Sequence, residues 1–347
     1  MKTERLGAEK AGDITRAAAI LRGGGTVAFP TETVYGLGAN ALDLGAVEKI
    51  FVAKQRPHWD PLIVHVADAE MLGRVVQMPL GATAERLIAR FWPGPLTLLL
   101  PRVDGVPDAI TAGRPLVGVR MPAHLVARAL IAEAGVPIAA PSANTFGHTS
   151  PTTAEHVLAD LDGRIDAVLD GGPTTVGVES TVAGVDEQGV VIYRASAVDP
   201  RELSDLAVRS YVAEGGVRAP QSLPSPGVGM RHYAPRARLM LVGGTGAEAI
   251  SRRRNPLELS LIDAIAAAPG DPQTVAVMLP DGWKCSGVEM AFPWGPWGDG
   301  EVLARRLFAG LRALDDAGAS VILCPVPEMG GIGEAIRDRL EKAARPR

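Results

Sequence analysis

The sequence predicts an α/β protein with a twisted, open, mixed sheet, followed by a second and smaller α/β domain. Short apolar runs of strand length alternate with amphipathic runs of helix length from residue 14 to about residue 194. The proline-rich stretch 218–236 then lacks apolar periodicity, and a new alternation begins at Leu239. With 347 residues, of which 47% are hydrophobic, the chain is long enough for two cores. We therefore predict domains at 1–200 and 237–347, joined by a linker at 201–236.

The elements of the first domain follow from apolar spacing and end signals. A helix is expected over Ile14–Arg22, with Asp13 as its N-cap and the glycines from Gly23 as its stop. The predicted strands are Thr26–Phe29, Leu62–Val66, Leu96–Leu100, Leu116–Arg120, Ile138–Ala140, Ala167–Leu169, Ser180–Val185 and Val190–Tyr193. The further predicted helices are Gly45–Lys54, Thr83–Phe91, His124–Ala134 and Thr153–Leu161.

The second domain has fewer elements. Strands are expected from Leu239, over Thr274–Leu279 and over Val321–Val326, with helices near Leu303–Leu314 and Gly333–Ala344. A G-x-G-x-x-A pattern, made by Gly244, Gly246 and Ala249, follows the first of these strands. Because tight turns between a strand and a helix need glycine anyway, an ordinary turn is favoured over a nucleotide site.

Composition argues against several classes of protein. The net charge is −4, and the first 200 residues hold 17 Lys+Arg against 22 Asp+Glu, so a generally cationic nucleic-acid surface is not expected. The two cysteines, Cys285 and Cys324, lie too far apart for a multi-cysteine metal site or a disulfide framework. The first residues contain no apolar signal segment, and no apolar run reaches the length of a membrane span. We expect a cytoplasmic protein without membrane contact.

Polar side chains follow two of the predicted strands. Thr31, Glu32 and Thr33 come after the strand that ends at Pro30, in the stretch FPTETVYGLGAN. Ligand crevices in open α/β sheets lie outside the carboxyl ends of strands, although a capped turn would have the same composition. Arg120 ends the strand LVGVR, where it can clamp a carboxylate or phosphate or form a surface ion pair.

The stretch KQRPHWDPLIVH contains two further cations. Lys54 and Arg56 stand at a predicted helix end, where they can compensate the helix dipole or bind phosphates. His65 lies in the apolar strand that follows, and a lone histidine there is more often a core residue than a ligand.

Hydroxyl-rich loops complete the candidate groups. The stretch PSANTFGHTSPT brings Ser142 and Ser150, and GGPTTVGVEST brings Ser180 at a strand start. Arg194 ends a later strand. Three cations, a separate arginine and hydroxyl donors fit a nucleoside triphosphate and a small carboxylated partner. No G-x-S-x-G elbow or HExxH motif is present, so serine hydrolysis and zinc chemistry fit poorly.

These stretches closely resemble a known family. GGGTVAFPTETVYGLGANA, KQRPHWDPLIVHV, FWPGPLTLLL, VGVRMP, PSANTFGHTSPT and GVESTV occur in the order of the YrdC-like domain of L-threonylcarbamoyladenylate synthases, over about Thr15–Ser196. The linker SPGVGMRHYAP and the ending GIGEAIRDRLEKAA resemble the longer, two-domain members.

The resemblance implies a fold and an activity. The fold is a YrdC-like twisted open mixed sheet with a second, smaller Rossmann-like α/β domain. The enzyme makes L-threonylcarbamoyl-AMP and pyrophosphate from L-threonine, bicarbonate and ATP, with Mg²⁺ accompanying ATP. Its product passes to a tRNA threonylcarbamoyl transferase complex, which modifies the adenosine next to the anticodon. Direct tRNA contact by the synthase itself has weaker support.

The resemblance also implies site residues. Those that would surround L-threonine are Thr33, His65, Arg120, Ala140 and Ser180, with Arg120 on the carboxylate. Those that would bind ATP are Lys54, Arg56, Asp60, Leu116, Ser142, Ser150, Arg194 and Tyr233, with Tyr233 closing over the nucleotide as part of a lid. No covalent enzyme intermediate is expected.

The chain departs from the family pattern at two positions. Asp60 stands where asparagine is common, and a negative charge near phosphates is unfavourable unless magnesium lies close or Asp60 faces the nucleoside. Phe146 stands where serine is common, which leaves the shape of its loop open.

Two alternative functions remain. A carbamoyltransferase that uses carbamoyl phosphate can also contain a YrdC-like domain, but those proteins carry zinc fingers, for which two cysteines are too few. A non-enzymatic RNA-binding factor would need a basic surface, which the charge balance does not favour.

Overall fold

The computed structural model describes residues 2–203, 205–211, 232–243, 256–285, 287–328 and 330–345, and it confirms the predicted fold class. Two compact units are present. The first comprises Met1–Phe146 with Ser150–Gly229, and the second comprises Gly147–Thr149 with Met230–Arg347. The predicted boundaries at residues 200 and 236 stay predictions.

The first unit is built on one large mixed sheet. Its strands are β1 (Glu4–Gly7), β2 (Val27–Phe29), β3 (Gly36–Asn40), β4 (Ile63–His65), β5 (Leu96–Pro101), β6 (Leu116–Arg120), β7 (Ile138–Ala139), β8 (Ala167–Asp170), β9 (Thr181–Asp186), β10 (Gly189–Arg194) and β11 (Val208–Ser210). Their order in the sheet is β1-β8-β2-β3-β7-β4-β6-β5-β9-β10-β11. The helices of this unit are α1 (Asp13–Arg22), α2 (Leu44–Lys54), α3 (Ala69–Gly73), α4 (Ala82–Phe91), α5 (Asp108–Thr111), α6 (Leu125–Ala134) and α7 (Ala154–Leu161).

Strand directions bring several polar residues to one edge of this sheet. β4 and β6 are parallel, with His65 opposite Arg120 at their carboxyl ends. β5 is antiparallel to β6, and β9 is parallel to β5, so Thr181 and its partner Leu96 start at the same edge. β10 is antiparallel to β9 and ends at this edge with Arg194.

Local capping explains where helix α2 ends. The Asp43 carboxylate accepts two backbone N–H groups and caps the helix start. Gln55 takes a left-handed conformation with φ 55°, and the backbone N–H of Arg56 donates to the carbonyl of Phe51 at 3.0 Å. Lys54 therefore ends the helix and Arg56 follows directly, which fixes both cations to one rigid element.

The N-cap prediction for helix α1 was wrong. Gly12, with φ 89°, is the N-cap, and Asp13 is the first helical residue. The Asp13 carboxylate instead accepts the backbone N–H of Gly7 at 2.8 Å. The sequence analysis missed strand β1. The Asp13 carboxylate therefore binds the backbone of β1 and does not cap the helix.

Strand β3 lies in the core although its sequence, GLGAN, has no strand-like run. Leu37 and Ala39 are fully buried. Gly36 and Gly38, which alternate with them, leave room for side chains of neighbouring strands. A Cβ atom on Gly38 would lie 2.8 Å from Phe29 Cε1 and 2.9 Å from Ile138 Cγ2. Glycine is therefore required here by close packing rather than by a turn.

The second unit contains a smaller, parallel sheet. Its strands are β12 (Arg238–Val242), β13 (Val275–Pro280), β14 (Met290–Gly295) and β15 (Val321–Pro325), in the order β12-β15-β13-β14. Its helices are α8 (Pro256–Ala266), α9 (Gly300–Asp316) and α10 (Ile332–Ala343). The G-x-G-x-x-A pattern at Gly244, Gly246 and Ala249 lies outside the described residues. None of the helices in the described ranges combines the length and apolar character needed to cross a bilayer.

We expect Gly38→Ala to lower the free energy of unfolding by about 1–3 kcal/mol, because the added methyl group overpacks the space between Phe29 and Ile138. Urea unfolding measures this loss. Gly105→Ala is the matched control, since a Cβ atom at Gly105 meets nothing within 4 Å. Equal losses in the two variants would contradict the packing argument.

Candidate active site

Arg120 is the centre of a buried polar group. Its Nη1 donates to Thr33 Oγ1 at 2.9 Å, and its Nε donates to the carbonyl of Gly94 at 3.1 Å. Its Nη2 lies 2.6 Å from Glu32 Oε1. Arg120 is only 3% exposed, so the alternative of a surface ion pair does not apply. The sequence analysis named Glu32 as a polar group but did not predict its pairing with Arg120.

Thr33 and Arg120 meet although β2, which precedes Thr33, and β6, which ends at Arg120, end at opposite edges of the sheet. Three strands, β3, β7 and β4, separate β2 from β6 in the sheet order. Along the strand direction the sheet is short there, because β7 has two residues and β4 has three. At roughly 3.3 Å per residue, these strands span only about 7 and 10 Å. Side chains from both edges therefore converge over the middle of the sheet.

His65 belongs to this group and carries no charge at neutral pH. It lies opposite Arg120 in the strand register, and the ring of Phe29 packs edge-on at 6.1 Å between centroids. Burial, and secondly the charge of Arg120, lower the pKa of His65 to about 3, while Glu32 acts in the opposite direction. Within the described residues, its Nδ1 has no hydrogen-bond partner. His65 can therefore offer a neutral imidazole to a polar ligand.

Ser180 contacts both strand β5 and Arg194. Its Oγ lies 2.8 Å from Thr97 Oγ1, and Arg194 Nη2 donates to the same Oγ at 3.2 Å. Arg194 Nε also donates to the carbonyl of Ser180 at 2.9 Å. The sequence analysis missed Thr97, although a single hydroxyl inside the apolar strand LTLLL was an available signal. Ala140 lies nearby in the sheet, where its N–H donates to the carbonyl of Ile63 at 2.8 Å.

Lys54 anchors the hydroxyl-rich loop from inside. Its Nζ donates to the backbone carbonyls of Ser142 and Asn144, and the N–H of Phe146 donates to the carbonyl of Lys54 at 2.9 Å. Burial, and secondly the charge of Arg56, hold the pKa of Lys54 well below its usual value. The loop that carries Ser142 is thus fixed to the end of helix α2.

Arg56 and Asp60 form a second buried ion pair. Arg56 Nη2 lies 3.0 Å from Asp60 Oδ2 and donates to the carbonyl of Pro61 at 2.7 Å. Burial raises the pKa of Asp60, and the charges of Arg56, Lys54 and Arg194 oppose that rise in this order. The three cations expected to hold phosphates therefore act on a single carboxylate. Asp60 is itself one of the residues assigned to ATP.

Ser150 is paired with Glu179, a residue to which the sequence analysis assigned no role. Its hydroxyl donates to the carboxylate of Glu179, and the hydroxyl of Ser196 donates to the backbone carbonyl of the same residue. All three residues are buried. Glu179, which precedes Ser180, thus fixes the chain at the start of β9.

The two remaining assigned residues are Leu116 and Tyr233. Leu116 is the first residue of β6, four residues from Arg120 and therefore about 13 Å away along the strand. Tyr233 belongs to the second unit, where its ring packs 5.8 Å from that of Phe308 and the guanidinium of Arg339 lies 5.5 Å from it. Their expected contacts with ATP stay predictions.

The residues present do not make a resident magnesium site. Within the part of the chain that the structure describes, Asp60 Oδ1 is buried without a hydrogen-bond partner, but the other oxygen is paired with Arg56. The charges of Lys54 and Arg194 also act on this carboxylate. Among the residues that the structure describes, no group of three His, Cys, Asp or Glu side chains is placed to hold a metal ion. A hard cation prefers several oxygen ligands, which here only bound phosphates can supply.

Both parts of the chain match known families. Residues 19–196 match a family model described as Telomere recombination, and residues 198–345 match one described as Threonylcarbamoyl-AMP synthase, C-terminal domain. The threonylcarbamoyl-AMP synthase of Pyrococcus abyssi is 42% identical over 330 residues, covering 94% of this chain and 93% of the relative. That of Bacillus subtilis is 40% identical over 332 residues, covering 95% and 92%.

The fold agrees with a solved structure over the same length. The crystal structure of P. abyssi Sua5 complexed with L-threonine matches with a TM-score of 0.89 and 40% identity, covering 99% of this chain and 98% of that chain. The resemblance drawn from the motifs is thereby confirmed, and the chain belongs to the threonylcarbamoyl-AMP synthase family.

Proposed function

We propose that this chain combines L-threonine, bicarbonate and ATP into L-threonylcarbamoyl-AMP and pyrophosphate. The observation that supports this most is the link made by Ser180. Its hydroxyl contacts Arg194, whose charge acts on Asp60, and also Thr97 on β5, the strand that pairs with β6. A short series of neighbours thus runs from the cations around Asp60 to the strand beside the one that ends at Arg120. An amino acid and a polyphosphate bound at these two groups would lie side by side.

The first group would bind the amino acid. Arg120 offers a fork for the carboxylate, and the hydroxyls of Thr33 and Ser180 would contact its polar groups. His65, which stays neutral, would add a hydrogen bond without repelling the ammonium group. Ala140 would complete the wall through its backbone.

The second group would bind ATP. Lys54, Arg56 and Arg194 would face the phosphates, and hydroxyls from Ser142 and Ser150 would add uncharged donors. Magnesium would enter with ATP as part of the substrate, bridging phosphate oxygens. Leu116 and Tyr233 would contact the nucleotide, with Tyr233 acting from the linker as part of a lid.

The chemistry would depend on positioning and charge stabilisation. The uncharged amine of threonine forms a carbamate with bicarbonate, a carbamate oxygen attacks the α-phosphorus of ATP, and pyrophosphate leaves. The buried cations would stabilise charge that develops on the phosphates. A water-poor site protects the carbamate from decomposition. We expect the product to pass to a tRNA threonylcarbamoyl transferase in the cytoplasm.

We expect purified protein to release pyrophosphate only when L-threonine, bicarbonate and ATP are all present. Labelled bicarbonate should appear in a product that also contains adenosine and threonine. Pyrophosphate release without threonine would contradict the proposal, and RNA binding without ATP turnover would favour the non-enzymatic alternative. Arg120→Ala should weaken threonine use far more than ATP binding. Arg120→Lys serves as a second variant, because it keeps a charge opposite Glu32 while it loses the bidentate fork.

We expect Asp60→Asn to bind ATP about fivefold more tightly. The change removes a negative charge beside the phosphates, worth about 1 kcal/mol at an intermediate effective dielectric, and frees Arg56 from its partner. Calorimetry with magnesium-ATP and with ATP in a chelator measures both affinities. The exposed Asp104→Asn is the matched control. A loss of affinity confined to magnesium-ATP would contradict this prediction and would assign Asp60 to the metal.

A further inference from the structure

Glu32 is a buried carboxylate whose bonding is incomplete. Its side chain is 9% exposed and lies opposite Arg120. Burial acts to raise its pKa, but Arg120 and the backbone amides of Glu32 and Ala123 together lower it below the usual range, so the group is ionised. Nevertheless, neither carboxylate oxygen accepts a hydrogen bond that meets ordinary distance and angle limits within the described residues. A buried anion in this condition has capacity for another donor.

Charge balance indicates what that donor is. Among the described residues, Arg120 acts electrostatically on Glu32, and Glu32 acts on His65 and His124. Burial lowers the pKa values of both histidines, which favours their neutral forms. In the free protein, Glu32 therefore occupies part of the guanidinium that the proposed function assigns to a substrate carboxylate. When that carboxylate arrives, Glu32 loses its partner, and an unpaired buried carboxylate is costly.

An amino-acid zwitterion supplies both charges at once. Its carboxylate pairs with Arg120, and its ammonium group, one carbon away, can pair with the carboxylate of Glu32. We infer that Glu32 binds the α-ammonium group of the substrate and accepts the proton that this group must lose before it reacts. This inference rests on the proposed function and names the base that its first step requires.

The proton step balances as follows. An N–H bond of the ammonium group breaks, its electron pair stays on nitrogen, and an O–H bond forms on Glu32. The free amine then forms a C–N bond with the carbon of bicarbonate, whose hydroxyl leaves as water with the second amine proton. The products are a carbamate anion and neutral Glu32, which returns its proton to solvent after product release. Once the ligand carboxylate shares Arg120, the burial that raises the pKa of Glu32 is opposed less strongly, so Glu32 becomes a better proton acceptor. His65 is a poorer acceptor, because burial is the main cause that lowers its pKa to about 3, and burial persists when the ligand is bound.

Comparing the binding of two ligands distinguishes recognition of the ammonium group by Glu32 from a purely structural role of this residue. L-Threonine carries an ammonium group, whereas (R)-3-hydroxybutyrate keeps the carboxylate and the hydroxyl but lacks nitrogen. If Glu32 only held Arg120 in place, Glu32→Gln would weaken both ligands to the same extent. If Glu32 binds the ammonium group, the variant loses affinity for threonine alone.

Calorimetry on the full chain and pyrophosphate release provide the test. We expect wild-type protein to bind threonine at least about tenfold more tightly than (R)-3-hydroxybutyrate. The difference is the contribution of the charge-assisted hydrogen bond between the ammonium group and Glu32. In Glu32→Gln this ratio should fall to near one, and (R)-3-hydroxybutyrate should bind as well or better, because Arg120 is no longer shared. Turnover at saturating threonine should fall by about 100-fold or more, as expected for loss of a general base.

The controls make each outcome decisive. Glu85→Gln, an exposed change on helix α4, should match wild type. Glu32→Asp keeps the charge and should retain the preference for threonine, so it tests the idea even where the glutamine variant folds poorly. An unchanged ligand ratio and unchanged turnover in Glu32→Gln would overturn the inference while leaving the proposed function intact. Wild-type protein that neither binds threonine nor forms product would overturn both.

Discussion

The site depends on the compensation of buried positive charge. Lys54, Arg56, Arg120 and Arg194 are each at most 6% exposed, in a unit whose core is otherwise largely apolar. A charge in such surroundings is tolerated only with close partners, because transfer from water is costly. Two carboxylates and several backbone carbonyls provide those partners here. The arrangement of these partners therefore determines where an anionic ligand can bind.

The two halves of the site are compensated differently. Arg120 is paired with a full charge, that of Glu32, so a ligand that takes the guanidinium must also satisfy the carboxylate. In the other half, Arg56 is paired with Asp60, whereas Lys54 donates to two neutral backbone carbonyls. Under the proposed function, the first arrangement suits a zwitterion, and the second, in which three cations act on the single carboxylate of Asp60, suits a polyanion. In the proposed function, the two groups would thus discriminate an amino acid from a nucleotide within one unit.

Rigid elements hold these partners in place. The short strands β4 and β7 make the sheet narrow, so residues from both edges reach one region. Helix α2 ends at Lys54, whose Nζ donates to the carbonyls of Ser142 and Asn144, and Gln55 follows in a left-handed conformation. Binding groups on such elements lose little conformational freedom when a ligand arrives. The apolar strands therefore position the polar groups of the candidate site as well as stabilising the fold.

The sequence by itself determined the α/β class, most strands of the first unit, the end of α2 at Lys54 and the family, because these depend on local periodicity and short motifs. Only the tertiary structure decided that Glu32 pairs with Arg120 and that Thr97 meets Ser180, contacts between residues more than 80 positions apart. The strand β3 also escaped prediction, since Gly38 is selected by the side chains packed on it rather than by strand propensity. Local patterns fix which backbone states are favourable, whereas charge pairing and close packing depend on which distant segments the sheet brings together.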